Sequence, residues 1–361
     1  MSIFTQNIAT SIPFGLDLGD LSIKAVQIVH GKKRDEIKGY ASASLPFGYI
    51  QDGEILKSNE VAQVIREMLD DAQPKAIRSK QVICSLPETK AFLRIIQIPK
   101  MDLEEAKEAV RWEMEANIPL TADEVYYDWQ IVSNSIKEDK GKMNVLLVAV
   151  ARKTVEQIVD VLEKADLEVV GLEIESMAQS RSLINSQNKE ETVMVVDIGD
   201  RRTGILIVAN GVPVFTSSIA QSGQSLTDAI AKSFNMSNEE AEKTKIEHGI
   251  GSSTKGDPLF QSVKPVLESF VVEMQRSIEF LVSGLEYDNT VDRVIISGGG
   301  ANTKGFIPYL AQRMQKTVEI GNPWSKILLG SNLPPIARQD AAQYTTAIGL
   351  ALKELYYDHK T

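Results

Sequence analysis

GLDLGDLSIKAVQIVHG at residues 15–31 returns as VVDIGDRRTGILIVANG at residues 195–211. Asp17 and Asp197, Gly19 and Gly199, Asp20 and Asp200, and Gly31 and Gly211 are each 180 positions apart. A single apolar hairpin with an Asp-Gly turn is common wherever antiparallel sheet occurs. Two copies with the same order of Asp, Gly, Asp, apolar run and closing Gly indicate a duplicated supersecondary unit, and hence two related lobes. An Asp placed before a tight Gly turn can hold Mg²⁺ directly or through water, while the glycine lets backbone N–H groups approach phosphate oxygens. That chemistry nominates Asp17, Gly19, Asp197 and Gly199. Lys24 adds a cation to the first copy and Thr203 a hydroxyl to the second.

The chain of 361 residues is long enough for more than one domain. Acidic residues outnumber basic ones by 49 to 39, for a net charge of −10, which argues against nucleic acid as a partner. Cys84 is the only cysteine, so an intramolecular disulfide is impossible, a cysteine-based zinc site is not expected, and a reducing cytoplasm is the expected setting. MSIFTQNIATSIPF lacks the positive start and longer apolar run of a secretory signal. The most apolar run, VLLVAVA at 145–151, is far short of the roughly 20 residues needed to cross a bilayer. Membrane association is therefore expected only through partners.

Spacing divides the chain further. Residues 1–87 form the first part of lobe one, with a helix over 58–72 and a buried strand at QVICSLP. Residues 88–170 read as an inserted α/β module. In it DLEEAKEAVRWEMEANI places Leu103, Ala106, Val110, Met114 and Ile118 on one helical face, and RKTVEQIVDVLEKAD does the same with Val155, Ile158, Val159, Leu162 and Ala165. Core packing is the expected role of both stripes, and of Trp112, Met114 and Pro119 in EAVRWEMEANIPL. A connecting helix follows at 171–191, then the second hairpin at 192–224, a helical subdomain at 225–287, a return of lobe two at 288–339 and a closing helix at 340–361, where Ala347 and Gly349 offer a face for close packing. KEDKGK reads as a solvated turn, and His30, His248 and His359 as surface or structural residues.

IISGGGANTKGF at 295–306 is a strand running into Gly298, Gly299 and Gly300, with Asn302 next. Three adjacent glycines cost conformational entropy and pack no side chain, so they imply close backbone approach to something, most economically a nucleotide.

In order, DLGDLSIK, VVDIGDRRTGILIV and IISGGGANTKGF resemble the phosphate 1, phosphate 2 and adenosine motifs of the actin, Hsp70 and sugar-kinase superfamily. The resemblance implies an α/β fold of two lobes closing around Mg-ATP. IESMAQS resembles the helix start that carries an acidic residue near the attacking water, which nominates Glu175. SGQSLTDAIAK resembles the Gly-x-x-Leu-Thr turn, with Gly223 and Thr227, and AEKTKIEHG resembles a bacterial-actin helix in which Glu242 and Lys245 would flank the adenosine, the lysine by stacking. One position departs from the pattern: actins and kinases usually have Thr or Ser where Asp20 stands. An ionised Asp cannot donate to phosphate and would repel it, so either Ser22 supplies the hydroxyl or Asp20 points away.

The placement of the inserted module resembles FtsA and its relative PilM, and GLDLGDLSIKAVQI, PKMDLEEAKEAVRWEMEANIPL and EIESMAQSRSL resemble the PilM family over nearly the full length. That resemblance implies a cytoplasmic, ATP-binding part of the type IV pilus machine at the inner face of the membrane. Its partners would be a PilN-like cytoplasmic tail peptide, held in a groove between lobe one and the inserted module, and other pilus platform proteins of the inner membrane. It implies slow ATPase activity at most. A filament-forming FtsA-like division protein and a sugar-kinase-like phosphotransferase are the alternatives. FtsA-like proteins end in a linker and a basic amphipathic helix, which KELYYDHKT does not resemble.

Overall fold

The computed structural model describes residues 12–31, 34–118, 120–132, 141–184, 191–252, 256–285, 287, 290–329 and 336–353. The N-terminal segment 1–11, Pro119, most of KEDKGK and His359 lie outside the described residues.

The repeat becomes two five-stranded sheets. Lobe one starts with β1 (Phe14–Leu18), β2 (Ser22–His30) and β3 (Asp35–Ser44), a small hairpin of β4 (Ile50–Gln51) and β5 (Glu54–Ile55), helix α1 (Ser58–Asp70) and β6 (Gln81–Leu86). Next come β7 (Ala91–Pro99), α2 (Leu103–Asn117), β8 (Val125–Val132) and β9 (Lys142–Ala151), then α3 (Arg152–Lys164), β10 (Glu168–Ile174) and α4 (Glu175–Leu183). Lobe two comprises β11 (Thr192–Ile198), β12 (Thr203–Ala209), β13 (Val212–Ile219), α5 (Gly223–Phe234), α6 (Asn238–His248), α7 (Pro258–Glu279), β14 (Arg293–Ser297), α8 (Phe306–Met314) and β15 (Thr317–Ile320), before α9 (Arg338–Ala341) and α10 (Thr345–Ala351).

The sheets run β3-β2-β1-β6-β10 and β13-β12-β11-β14-β15. In each, the first three strands are antiparallel and the last three parallel. The register repeats as well: Asp17 faces Lys24 as Asp197 faces Gly204, and Leu18 faces Ile23 as Ile198 faces Thr203. Strand β11 is apolar on both faces because both are covered. Met194, Val196 and Ile198 join the core of the helical subdomain, while Val193 and Val195 pack on Leu183 and Ile184 at the end of α4.

The sheet of the inserted module is β7-β9-β8, and α2, capped by the Asp102 carboxylate on the Glu104 and Glu105 N–H groups, buries Ala106, Val110 and Met114 against Val145, Leu147 and Ala149. Trp112 does not join that stripe and is 73 % exposed, since a residue two places from both Val110 and Met114 lies on the other side of a helix. Leu103, the first residue of the helix, is also exposed. Helix α3 buries Val155, Ile158 and Leu162 in the lobe-one core, and β10 pairs with β6. These two elements thus link the inserted module to the lobe-one sheet, α3 packing also beside Leu146 and Val150 of β9.

The chain passes between lobes along α4 and returns along α10, and the two helices touch without side chains between them. A Cβ on Gly349 would lie 1.9 Å from the Ala178 carbonyl oxygen, and one on Gly15 would lie 2.2 Å from that of Ala347. Gly349→Ala is therefore expected to destabilise the protein by about 1–3 kcal/mol, the usual cost of overpacking, measured by urea unfolding. A stability equal to wild type would show that the crossing relaxes freely.

Candidate functional site

The two hairpin turns meet over a cavity of about 370 Å³ between the lobes. Each turn is closed the same way, Gly19 N–H donating to the Ser22 carbonyl and Gly199 N–H to that of Arg202. Each Asp is held by a serine from the neighbouring parallel strand. The Ser85 hydroxyl donates to Asp17 Oδ1 at 3.2 Å, and the Ser297 hydroxyl to Asp197 Oδ1 at 2.9 Å. Gln179 of α4 donates to Asp197 Oδ2 at 2.9 Å and to the Thr346 hydroxyl of α10 at 3.2 Å. Lys24, across the strand from Asp17, donates to the Ser22 hydroxyl at 2.7 Å.

Of the seven carboxyls that line this cavity, burial raises four. Burial raises the Asp17 carboxyl, with Lys24 and Ser85 opposing. Burial also pushes Asp197 up to about 6, with Asp17 adding to the rise and Ser297, Lys24 and Gln179 opposing it. Glu175, the first residue of α4, is raised well above the ordinary range by burial and then by Asp17, Glu88 and Asp197. Glu88, raised by burial, accepts the Ser176 N–H at 3.2 Å. Such crowding favours neutral forms unless a cation enters; among the described residues no three or more His, Cys, Asp or Glu side chains are grouped to hold an ion, so a divalent ion would fit here as Mg²⁺ usually does, on one or two carboxylates with waters and phosphates.

Of the residues nominated from sequence, Asp17, Gly19, Ser22, Lys24, Glu175, Asp197, Gly199, Gly298 and Gly299 line the cavity. Gly223, Thr227, Glu242 and Lys245 form a second cluster tied to it, for Gly223 N–H donates to the Gly199 carbonyl at 3.0 Å. Lys245 donates to the Gly223 carbonyl at 3.1 Å and to the Thr227 hydroxyl at 2.9 Å, and pairs with Glu242 at 2.7 Å. Its ammonium is thus occupied by protein oxygens, leaving only the stem for stacking.

Thr203, Gly300 and Asn302 are not brought to the cavity. Thr203 is fully buried and occupies the position that Ile23 holds in lobe one, pointing with Ile205 and Ile207 along one face of β12. Its hydroxyl has no hydrogen-bond partner among the described residues. Gly300 is required by packing, since a Cβ there would lie 2.3 Å from Ile198 Cγ2. Gly298, at φ 80°, presses on the Ile198 carbonyl, so of the three glycines only Gly299 faces open space. Asn302 is exposed. Asp20 lines the cavity, but its carboxylate is taken up by the β4–β5 hairpin, accepting the Asp52 and Gly53 N–H groups at 2.8 and 3.0 Å. Ser85, Ser297, Gln179 and Glu88 were missed by motif reading, because their roles depend on which strands pair.

A family model described as type IV pilus assembly protein PilM matches residues 15–355. The solved PilM-PilN type IV pilus biogenesis complex is similar at a TM-score of 0.80 and 27 % identity, over 95 % of this chain and 98 % of that one. The cell division protein FtsA of Streptococcus pneumoniae is 23 % identical, covering 88 % of this chain and 70 % of the relative, and that of Pseudomonas aeruginosa is 22 % identical, covering 94 % and 88 %. MreB5 of Spiroplasma citri bound to ADP shares the fold at a TM-score of 0.54 and 14 % identity, over 96 % of this chain and 97 % of that one.

Because Asp197 ionises near 6 in the folded chain and near 3.8 when unfolded, its charging opposes folding increasingly as pH rises from about 4 to about 6. Without divalent ions, Asp197→Asn is expected to be more stable than wild type by roughly 1–3 kcal/mol at pH 7.5, with the gap closing at pH 4. Thermal unfolding at the two pH values checks this, and a gap independent of pH would contradict it.

Proposed function

The chain belongs to the type IV pilus assembly protein PilM family, and from that premise we propose that it is an ATP-binding, actin-like scaffold holding the cytoplasmic tail of a PilN-like inner-membrane protein. One observation carries the nucleotide half of this reading: the repeated hairpins bring Asp17, Lys24, Asp197 and the open face of Gly299 to a single cavity. Asp17 and Asp197 would hold Mg²⁺ directly or through water, and Lys24, Ser22 and the backbone of Gly19, Gly199 and Gly299 would meet phosphate oxygens. The Gly223, Thr227, Glu242 and Lys245 cluster would border the nucleoside. Bound Mg²⁺ supplies charge neutralisation. Burial is the main cause that raises Glu175, and a cation held by Asp17 and Asp197 would offset two of the charges that add to it, favouring the carboxylate form that could take a proton from water.

A second concavity, of about 160 Å³, suits the tail. It lies between β8 and β9 of the inserted module and β10 and α4 of lobe one, with Trp129, Leu146, Val148, Leu172 and Met177 among its walls. The solved relative is itself a complex with PilN. Among the described residues no helix is long and apolar enough to cross a membrane, so a position at the cytoplasmic face of the inner membrane would follow from holding such a tail.

The two concavities are joined by α4. Glu175 and Gln179 face the interlobe cavity, while Arg181 reaches Glu173 of the groove wall at 2.5 Å and donates to the Gly349 carbonyl at 2.8 Å. Burial raises the Glu173 carboxyl, but Arg181 and Lys353 outweigh it and hold it below the ordinary range. A change in lobe angle would therefore be felt in the groove, the population shift that a nucleotide-gated scaffold needs.

Calorimetric titration with the N-terminal cytoplasmic peptide of the single-span pilus protein, with and without Mg-ATP, tests this reading. Saturable binding that depends on nucleotide is expected, and Leu172→Glu should weaken peptide binding about tenfold or more by placing a charge on an apolar wall, with ATP binding unchanged. Absence of peptide binding in both states would sink the scaffold. Glu175→Gln should retain Mg-ATP binding and lower any hydrolysis at least about tenfold; equal rates would remove Glu175 from the chemistry.

A further inference from the structure

The mouth of the interlobe cavity is crossed by two contacts that the nucleotide reading does not use. Arg202, in the turn between β11 and β12 of lobe two, donates from Nε to Asp52 Oδ1 of lobe one at 3.1 Å. Beside it the Arg201 guanidinium lies 5.0 Å from the centre of the Phe47 ring, within reach of a cation–π attraction. Phe47 is otherwise 72 % exposed, so this contact is a main use of its ring.

Asp52 is held for this contact. It occupies the first turn position of the β4–β5 hairpin, where Asp52 and Gly53 have φ of 51° and 75°, the paired positive values that close a two-residue hairpin and favour Asp-Gly. Both N–H groups of that turn are taken by the Asp20 carboxylate. A Cβ on Gly53 would lie 2.8 Å from the Pro87 ring, so the turn also rests on the end of β6. Asp20 thereby fixes a hairpin whose exposed Asp faces the opposite lobe. A Ser or Thr at that position has one hydroxyl hydrogen and could not accept from two N–H groups with two separate carboxylate oxygens.

We propose that Asp52 and Arg202 form an ion-pair latch across the mouth of the cavity, anchored by Asp20 and steadied by Arg201 on Phe47, that ties the lobes and slows nucleotide exit. The pair lines the cavity together with Gly53 and Arg201 and lies on its solvent-exposed side. The pair is also partly solvated, its side chains being 45 % and 42 % exposed. An ion pair of that kind is weak enough to open and reclose, and salt weakens it further. The effect on nucleotide exit rests on the ATP reading above, whereas the tie between lobes does not.

The test uses the full chain with spin labels on Glu67→Cys of α1 and Glu239→Cys of α6, Cys84 being buried and left in place. Interlobe distance distributions are measured without nucleotide, and release of a fluorescent ATP analogue in Mg²⁺ is followed by chase. Asp52→Arg and Arg202→Asp should each broaden the distances and speed release about two- to fivefold. The double exchange should restore both. Asp20→Ala, which leaves both latch charges in place, should reproduce the single variants. Distances and release rates unchanged in all variants would overturn the latch. Distances that respond in a protein binding no ATP analogue would keep the tie between lobes and overturn the nucleotide reading instead.

Discussion

Two half-buried carboxyls, Asp17 and Asp197, approach each other from the ends of equivalent strands of two sheets, and their mutual repulsion is the constraint the surrounding structure answers. Ser85, Ser297 and Gln179 supply hydrogen bonds to them, and Lys24 supplies the nearby ammonium. Each partner comes from a different strand or helix, so the ends of β6 and β14 and the middle of α4 are tied to this one spot. Neutral donors and the Lys24 ammonium leave the cluster under-neutralised.

The lobes are joined with little slack at their base. Glycine at positions 15 and 349 lets α10 lie against β1 and α4 at backbone contact, so the interior of the junction is made of rigid elements. Gln179 bridges that base to the metal-binding candidates, and Arg181 bridges it to the groove. Motion between lobes, where it occurs, has to be taken up around this crossing and at the mouth.

Much of this was legible from spacing. The repeated hairpins announced two lobes, the small residues of the last helix announced close packing, and the Asp-Gly turns marked the cavity. What spacing could not supply was pairing. Thr203 reads as a ligand until the register shows it in the place of Ile23. Gly300 reads as a phosphate contact until its neighbour proves to be Ile198. Helix α3 reads as part of the inserted module because its stripe is complete, but a stripe does not say which sheet it covers, and its core neighbours include residues of β6 and β9 alike. Ser85 and Ser297 carry no local signal, since their function arises from a neighbouring strand.

The likeness of the two hairpins stops at their outer turns. In lobe one the turn supports a small β-hairpin through Asp20, whereas in lobe two the same turn receives the start of α5, with Gly223 and Gln224 N–H groups on the Gly199 and Asp200 carbonyls. A near-twofold frame thus encloses a slot with unlike walls. A molecule with a charged head and a flat tail has only one way round in such a slot, so the duplication contributes the grip and the divergence contributes the direction.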